Sequence, residues 1–222
     1  MEDPGVLAPG QWEIITAGTY TSTSGGDAYQ LPLLDISLGI IEDKVQVAMV
    51  LPWEHVSPNI GPSSSDFGSV EVGVKCQFFS SERLQMALAP YQVFGVSQGT
   101  ADKGIGSDVD VTVLPLNAQY QLSDTWTLNG ELSFANVHGG NDEMGYGAAV
   151  SFAPGGRYTW LAEVYGGADT SFNDHSFELR AGVDVELRDD LHLLFAAATS
   201  VDAPTAGEEL DAGVYVGIQL FR

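Results

Sequence analysis

The connectors between the apolar segments of this chain alternate in length, and this alternation constrains the fold more than any other feature. Apolar residues recur at every second position in twelve segments, which is the period of β-strands with one apolar face. Short turns follow the even-numbered segments, and longer connectors follow the odd-numbered ones. All the short turns therefore lie at one end, which predicts an up-and-down antiparallel barrel. The Greek-key connections of a soluble β-sandwich give no reason for such regularity.

The predicted strands cover residues 11–21, 29–40, 45–54, 69–78, 84–94, 108–121, 126–137, 144–153, 158–166, 177–187, 191–200 and 211–221. The predicted short turns cover residues 41–44, 79–83, 122–125, 154–157 and 188–190. The predicted longer loops cover residues 22–28, 55–67, 95–107, 138–143, 167–176 and 201–210.

The two faces of the predicted strands differ in charge. The alternating apolar face carries no Asp, Glu, Lys or Arg in any of the twelve strands. A small soluble barrel would turn its apolar face inward, whereas a membrane barrel has an apolar outside and a polar lumen. In a membrane barrel the charged residues of the other face would line the lumen and set its selectivity; they are Glu13, Asp35, Glu71, Lys75, Asp110, Glu131, Glu163, Glu178, Arg180, Asp184 and Glu186.

Aromatic residues concentrate at both ends of the predicted strands, where a membrane barrel carries its interfacial girdles. The girdle includes Trp12, Trp53, Trp126, Trp160, Tyr158 and Phe177. This distribution favours an all-β, twelve-stranded transmembrane barrel in the outer membrane of a Gram-negative bacterium, with short periplasmic turns and longer extracellular loops. We expect a single domain over residues 1–222, in which residues 1–10 form a short periplasmic segment.

The charge balance limits the partners. The chain has 30 acidic residues against 8 basic ones, a formal net charge of −22, which repels nucleic acid. The expected partners are outer-membrane lipid, lipopolysaccharide and a small-molecule solute, with the barrel itself a monomer. No loop has the Asp-x-Asp-x-Asp-Gly spacing of a calcium site, and the single cysteine, Cys76, excludes a zinc site built on cysteines. We expect neither a metal nor a cofactor.

The predicted lumen is acidic, with nine carboxylates against Lys75 and Arg180. Burying unpaired ions in a dry interior is costly, so we expect the lumen to hold water at least in part. Twelve strands fall between an eight-stranded barrel, which side chains fill, and a sixteen-stranded porin with an open channel. This size suits a narrow conduit for small molecules; the alternative is a lumen plugged by its own polar network.

Catalysis is not expected. Four histidines, His55, His138, His175 and His192, could act as bases, but a base near a serine in sequence does not make a triad. The chain also lacks a G-x-S-x-G elbow and an H-E-x-x-H helix.

Two local irregularities predict β-bulges. Near Leu114 the apolar alternation changes face, and a bulge would explain the change and tolerate Pro115. The run Leu31-Pro32-Leu33 predicts a similar bulge in the second strand. Cys76 is predicted to face lipid as a small apolar residue.

Four different short motifs stand along the strands and turns of the first part of the chain: Leu51-Pro52-Trp53, Gly73-Val74-Lys75, Ala89-Pro90-Tyr91 and Leu122-Ser123-Asp124. With them, roughly residues 10–135 resemble the outer-membrane channel family labelled as the meta-pathway of phenol degradation. The resemblance implies a twelve-stranded barrel that passes small, often hydrophobic or aromatic, molecules across the outer membrane.

The function expected from these observations is passive uptake of small molecules, including hydrophobic or aromatic compounds, through a narrow acidic lumen. One alternative is a closed barrel that is structural or binds surfaces through its acidic loops. The other is a soluble, acidic β-sandwich that acts as a binding module.

Overall fold

Twelve antiparallel strands form the wall of one closed barrel in the computed structural model, which describes residues 3–172, 175–202 and 209–222. The strands are β1 Trp12–Thr23, β2 Gly26–Ile41, β3 Val45–Pro58, β4 Ser64–Phe67, β5 Val70–Ser80, β6 Leu84–Leu88, β7 Tyr91–Phe94, β8 Val111–Gln121, β9 Trp126–Val137, β10 Glu143–Phe152, β11 Tyr158–Asp169, β12 His175–Arg188, β13 Leu191–Asp202 and β14 Leu210–Phe221. A single turn of helix, α1, spans Gln98–Ala101. Within these ranges no helix has the length and hydropathy needed to cross a membrane.

Fourteen strands make a twelve-stranded wall for two reasons. The short strand β4 pairs with the outer end of β3, and β6 and β7 together occupy one place between β5 and β8. The ladder breaks between β6 and β7 at Ala89-Pro90, where Ala89 lies opposite a second proline, Pro115, and neither proline has an N–H to donate.

The first and last strands close the barrel. β1 pairs with β14 from Glu13 opposite Phe221 onward. At the end of this ladder Trp12 and Arg222 exchange two backbone hydrogen bonds of 2.7 and 2.8 Å. The prediction of an up-and-down barrel is therefore confirmed.

The connections differ between the two ends. Short turns at residues 42–44, 81–83, 122–125, 153–157 and 189–190 lie at the periplasmic end, and the longer connections lie at the extracellular end. The loop predicted over residues 22–28 is instead a two-residue turn, because β1 and β2 continue pairing up to Thr23 opposite Gly26. Parts of two predicted loops, residues 173–174 and 203–208, lie outside the described residues.

One predicted bulge is confirmed and the other is wrong. The register of β2 shifts between Gln30 and Leu33 on both sides, as the Leu-Pro-Leu run predicts. In contrast, β8 pairs with β9 without any shift. The alternation changes there because Val113 faces inward, opposite Tyr91 and Ala135, where it is buried.

The barrel is apolar outside and polar inside. Its buried polar side chains are those of Ser37, Gln46, Lys75, Asn117 and Ser133. The outward positions form an exposed apolar belt that includes Met49, Val74, Leu128, Leu132, Val164, Leu179, Val214, Val216 and Ile218. Cys76 pairs with Val45 on this outward face. A soluble protein would have the opposite distribution, so the closed barrel with its apolar belt lies in the outer membrane of a bacterium.

Aromatic side chains stand at both margins of the belt. Four of the predicted girdle residues lie near the periplasmic turns, and Trp53 and Phe177 lie near the extracellular end. Trp53 packs edge-on against Phe67 at 4.8 Å between ring centroids, and Phe177 packs against Tyr146 at 5.6 Å. The four periplasmic residues, all exposed, are Trp12, Trp126, Tyr158 and Trp160.

Candidate functional site

The lumen contains a cavity of about 410 Å³ near the middle of the barrel. Five of the eleven predicted lumen residues line it: Asp35, Glu71, Lys75, Glu131 and Arg180. Four further polar residues also line it: Gln46 and Asn117, which the alternation places on the lumen face, and Tyr91 and Tyr165, which were not predicted there. The inward positions of the two tyrosines in the strand alternation were the signal that could have identified them.

Arg180 forms the centre of a charged network on one wall. Its Nη1 lies 3.0 Å from Oε1 of Glu163, its direct cross-strand partner, and its Nη2 lies 2.8 Å from Oε2 of Glu178. The guanidinium carbon lies 5.1 Å from the ring centroid of Tyr165, whose hydroxyl donates a 3.4 Å hydrogen bond to Glu131. Two carboxylates and a ring therefore hold the arginine in place.

The N-terminal segment, residues 3–8, occupies the opposite side of the lumen. Lys75 Nζ donates to the carbonyl of Asp3 at 3.0 Å, and Gln77 Nε2 donates to the carbonyl of Pro4 at 3.1 Å. The N–H of Leu7 donates to Oε1 of Gln46 at 3.0 Å. Since these partners lie on β3 and β5, the segment runs inside the barrel and narrows its periplasmic end.

Gly39 allows this segment to approach the wall. Its N–H donates to the carbonyl of Gln11 at 3.0 Å, and its carbonyl accepts from Gly10 N at 2.9 Å. A Cβ at position 39 would overlap the carbonyl oxygen of Ala8 and lie 2.5 Å from that of Leu7. A glycine inside an otherwise regular strand can mark such a close backbone approach, and Gly39 was the available sequence signal.

The remaining predicted lumen residues lie around the cavity or beyond it. Glu13 is hydrogen-bonded to Gln219. Asp184 pairs with His192 at 2.8 Å, and Glu186 is the cross-strand partner of that histidine. Asp110 lies just before β8, exposed at the extracellular end, where its carboxylate accepts from Gly95 N at 2.8 Å.

A folded loop, residues 95–110, is fastened to the extracellular end of β3. The carboxylate of Glu54 accepts from Gln30 Nε2 at 3.0 Å and from the N–H of Gly106 at 3.2 Å. Next to this contact Ile105 is fully buried. Glu54 thus bridges the wall and the loop, because Oε1 accepts from Gln30 on β2 and Oε2 accepts from Gly106 at the tip of the loop.

A second contact joins the same loop to β4. Oδ2 of Asp66 accepts from Thr100 and from Lys103, each at 3.3 Å. The N–H of Phe67, followed by the Lys103 ammonium, lowers the pKa of Asp66. The carboxylate therefore keeps its charge, and with it this contact, below the pH at which an ordinary aspartate would be protonated.

Replacing Glu54 with Gln is expected to loosen this loop. An amide can accept from only one of the two donors as well as the carboxylate does, and it has no charge to strengthen the bond. We expect trypsin to cleave folded protein in detergent after Lys103 several-fold faster in the variant. Cleavage after Arg157, in the periplasmic turn 153–157, is the internal control; equal rates at Lys103 in both proteins would contradict this role of Glu54.

Within the three described ranges, no group of three or more His, Cys, Asp or Glu side chains could hold a metal ion.

Comparison with known proteins identifies the fold. No model of a protein family matches the chain, and no curated protein matches it. The COG4313 outer membrane channel from Pseudomonas putida F1 is 10% identical with a TM-score of 0.80, over 100% of this chain and 99% of that chain. The KdgM porin is 10% identical with a TM-score of 0.67, over 94% and 98%. The CymD monoaromatic hydrocarbon channel is 9% identical with a TM-score of 0.54, over 97% and 89%.

Proposed function

We propose that this barrel is an outer-membrane channel for passive uptake of small molecules. The observation that carries the proposal is the cavity in the lumen, which polar and charged side chains line in the middle of a membrane-spanning wall. A barrel with a purely structural role has no need of an internal polar cavity. The solved structures that share this fold are themselves described as channels or porins.

The charges favour cations and neutral solutes over anions. Asp35, Glu71 and Glu131 line the cavity together with two basic residues, and Arg180 is already engaged by two further carboxylates. A pore lined by carboxylates concentrates cations and excludes anions. The lumen thus acts as a narrow acidic conduit.

Planar-bilayer recording tests both parts of this proposal. Reconstituted protein should give discrete conductance steps, and under a KCl gradient the reversal potential should indicate preference for K⁺. Uptake should appear in liposome swelling with small neutral solutes and fall for anions of equal size. Absence of both conductance and swelling would exclude the channel, whereas conductance with a preference for Cl⁻ would exclude the acidic filter.

Hydrophobic or aromatic compounds are one proposed group of solutes. The resemblance to the phenol-degradation channel family supports them, and the structural neighbour CymD is described as a monoaromatic hydrocarbon channel. The apolar part of the cavity wall, Val50, Tyr91 and Pro115 among others, offers contacts for such a ring. We further propose a monomer in contact with outer-membrane lipid and lipopolysaccharide, without enzymatic activity.

A closed barrel is the second candidate function. The N-terminal segment narrows the periplasmic end, and the folded loop 95–110 is fastened at the extracellular end. A barrel that these two elements seal would show neither conductance nor swelling while remaining folded in detergent. It would then act through its acidic extracellular loops.

A further inference from the structure

We propose that the central cavity is a binding site for organic cations that carry a protonated amine next to a hydrogen-bond acceptor, such as an amide or hydroxyl oxygen. This inference deepens the proposed channel function and rests on it, because the lumen is the route by which a solute reaches the cavity.

The buried side-chain amide of Asn117 points to this class of ligand. It is 1% exposed and lines the cavity from β8. Neither its Nδ2 nor its Oδ1 has a hydrogen-bond partner within the described part of the chain. Buried amides in folded proteins are nearly always paired, because an unpaired donor or acceptor loses its hydration without compensation. A bound molecule that supplies one donor and one acceptor would satisfy this side chain.

A neighbour of Asn117 adds hydrogen-bond acceptors. Glu131 is its direct cross-strand partner and lines the same cavity. Directly opposed side chains in a sheet start about 5 Å apart. The amide oxygen of Asn117 and the carboxylate of Glu131 therefore lie on the same part of the cavity wall, and an ammonium group, with three donors and no acceptor, suits them.

The charge around the cavity favours a cation. Asp35 and Glu71 add two carboxylates to that of Glu131. Two basic residues also line the cavity: Lys75, which donates to the carbonyl of Asp3, and Arg180, which is held by two carboxylates outside this set. The three carboxylates therefore outnumber the one remaining positive charge, that of Lys75. A charge-assisted hydrogen bond from an ammonium group to a carboxylate is among the stronger contacts that a protein makes.

The side-chain N–H groups of Asn117 explain why the ligand also needs a hydrogen-bond acceptor. Once the ammonium group meets the acceptors, Nδ2 of Asn117 still needs an acceptor. An amide or hydroxyl oxygen close to the amine would supply it. The rings of Tyr91 and Tyr165 with Val50 provide walls for the organic part of the molecule, and the cavity of about 410 Å³ has room for one small aromatic molecule.

Three related compounds test the ammonium group and the hydrogen-bond acceptor separately, in calorimetric titrations of the folded, detergent-solubilised protein. Phenylalaninamide has the ammonium group and the amide, 2-phenylethylammonium lacks the amide, and N-acetylphenylalaninamide lacks the charge. We expect phenylalaninamide to bind tightest and the acetylated compound to bind at least about tenfold more weakly, because it has no positive charge to pair with the carboxylates.

Substitutions connect the binding to named residues. Asn117→Leu should remove the advantage of phenylalaninamide over 2-phenylethylammonium, and Glu131→Gln should weaken both ammonium compounds. Glu82→Gln is the matched control, because Glu82 is exposed in the periplasmic turn 81–83, away from the residues that line the cavity, and it should change neither. If Asn117→Leu does not fold, Asn117→Asp keeps an acceptor but loses Nδ2, and it should likewise remove the advantage of the amide.

The outcomes separate this site from the channel itself. Conductance with equal affinity for all three compounds would exclude the cation site and leave the channel. Selective binding without conductance would exclude the channel and support the site. Unchanged selectivity in both Asn117 variants would mean that the amide of Asn117 meets water only, which would overturn the proposal.

Discussion

Deletion of residues 3–8 is expected to raise the single-channel conductance several-fold. The segment lies inside the lumen, where Lys75, Gln77 and Gln46 bind its backbone, and Pro4 is almost completely buried. The narrowest part of a pore dominates its resistance, so removal of a constriction raises conductance more than a change elsewhere does. Planar-bilayer recording of the reconstituted variant measures the effect directly.

A point substitution tests the same constriction without shortening the chain. Gly39→Ala places a methyl group against the carbonyls of Leu7 and Ala8, so the segment must shift and the conductance should rise. The matched control is Gly167→Ala on the lumen face of β11, where an added Cβ has its nearest neighbour at 3.6 Å. Unchanged conductance in both the deletion and the Gly39 variant would show that the segment does not limit the pore.

Arginine on the outward face is expected to destabilise the barrel by about 2–4 kcal/mol at mid-membrane depth. Ala197 is a suitable position, because it is exposed in the middle of β13 and lies between Val214 and Ala181 on the outward face. An arginine there must place its charge in hydrocarbon or bend towards the interface. Urea titrations in phospholipid vesicles, followed by heat-modifiable gel mobility, give the free energy of unfolding.

Ala196→Arg, at the adjacent residue, is the matched control for Ala197→Arg. Ala196 lies on the lumen face between Gly182 and Tyr215, so an arginine at position 196 keeps its charge in the lumen, on the same face as Asp184. We expect Ala196→Arg to cost clearly less free energy of unfolding than Ala197→Arg. Equal costs at the two positions would contradict the assignment of the two faces.

The alternation of side chains predicts most of this fold from sequence, because a period of two and the connector lengths are local properties. Predictions failed where a distant part of the chain changed the environment. Val113 was expected to face lipid, but it is buried inside opposite Tyr91. Similarly, the strand β4 forms by adding to β3, which the loop sequence does not show.

The candidate site was harder to predict from the sequence than the fold. Alternation identifies which face a carboxylate occupies, but it does not show which of them meet around one cavity. The contact between Lys75 and Asp3 joins residues 72 positions apart, and no periodicity reports it. The unpaired amide of Asn117 is also visible only once its neighbours are in place. These features arise from packing between strands rather than from the order of residues.

Closure of the wall by its two terminal strands has a consequence for how the barrel forms. The pairing of Glu13 with Phe221 joins nearly the whole length of the chain, so the ladder cannot be completed until the last strand is available. Contacts this distant in sequence slow folding, because the entropy of a long loop is lost before the contact forms. During that delay the apolar belt and unpaired strand edges are exposed, which favours aggregation. The nascent chain must therefore be shielded in transit until both ends have reached the membrane.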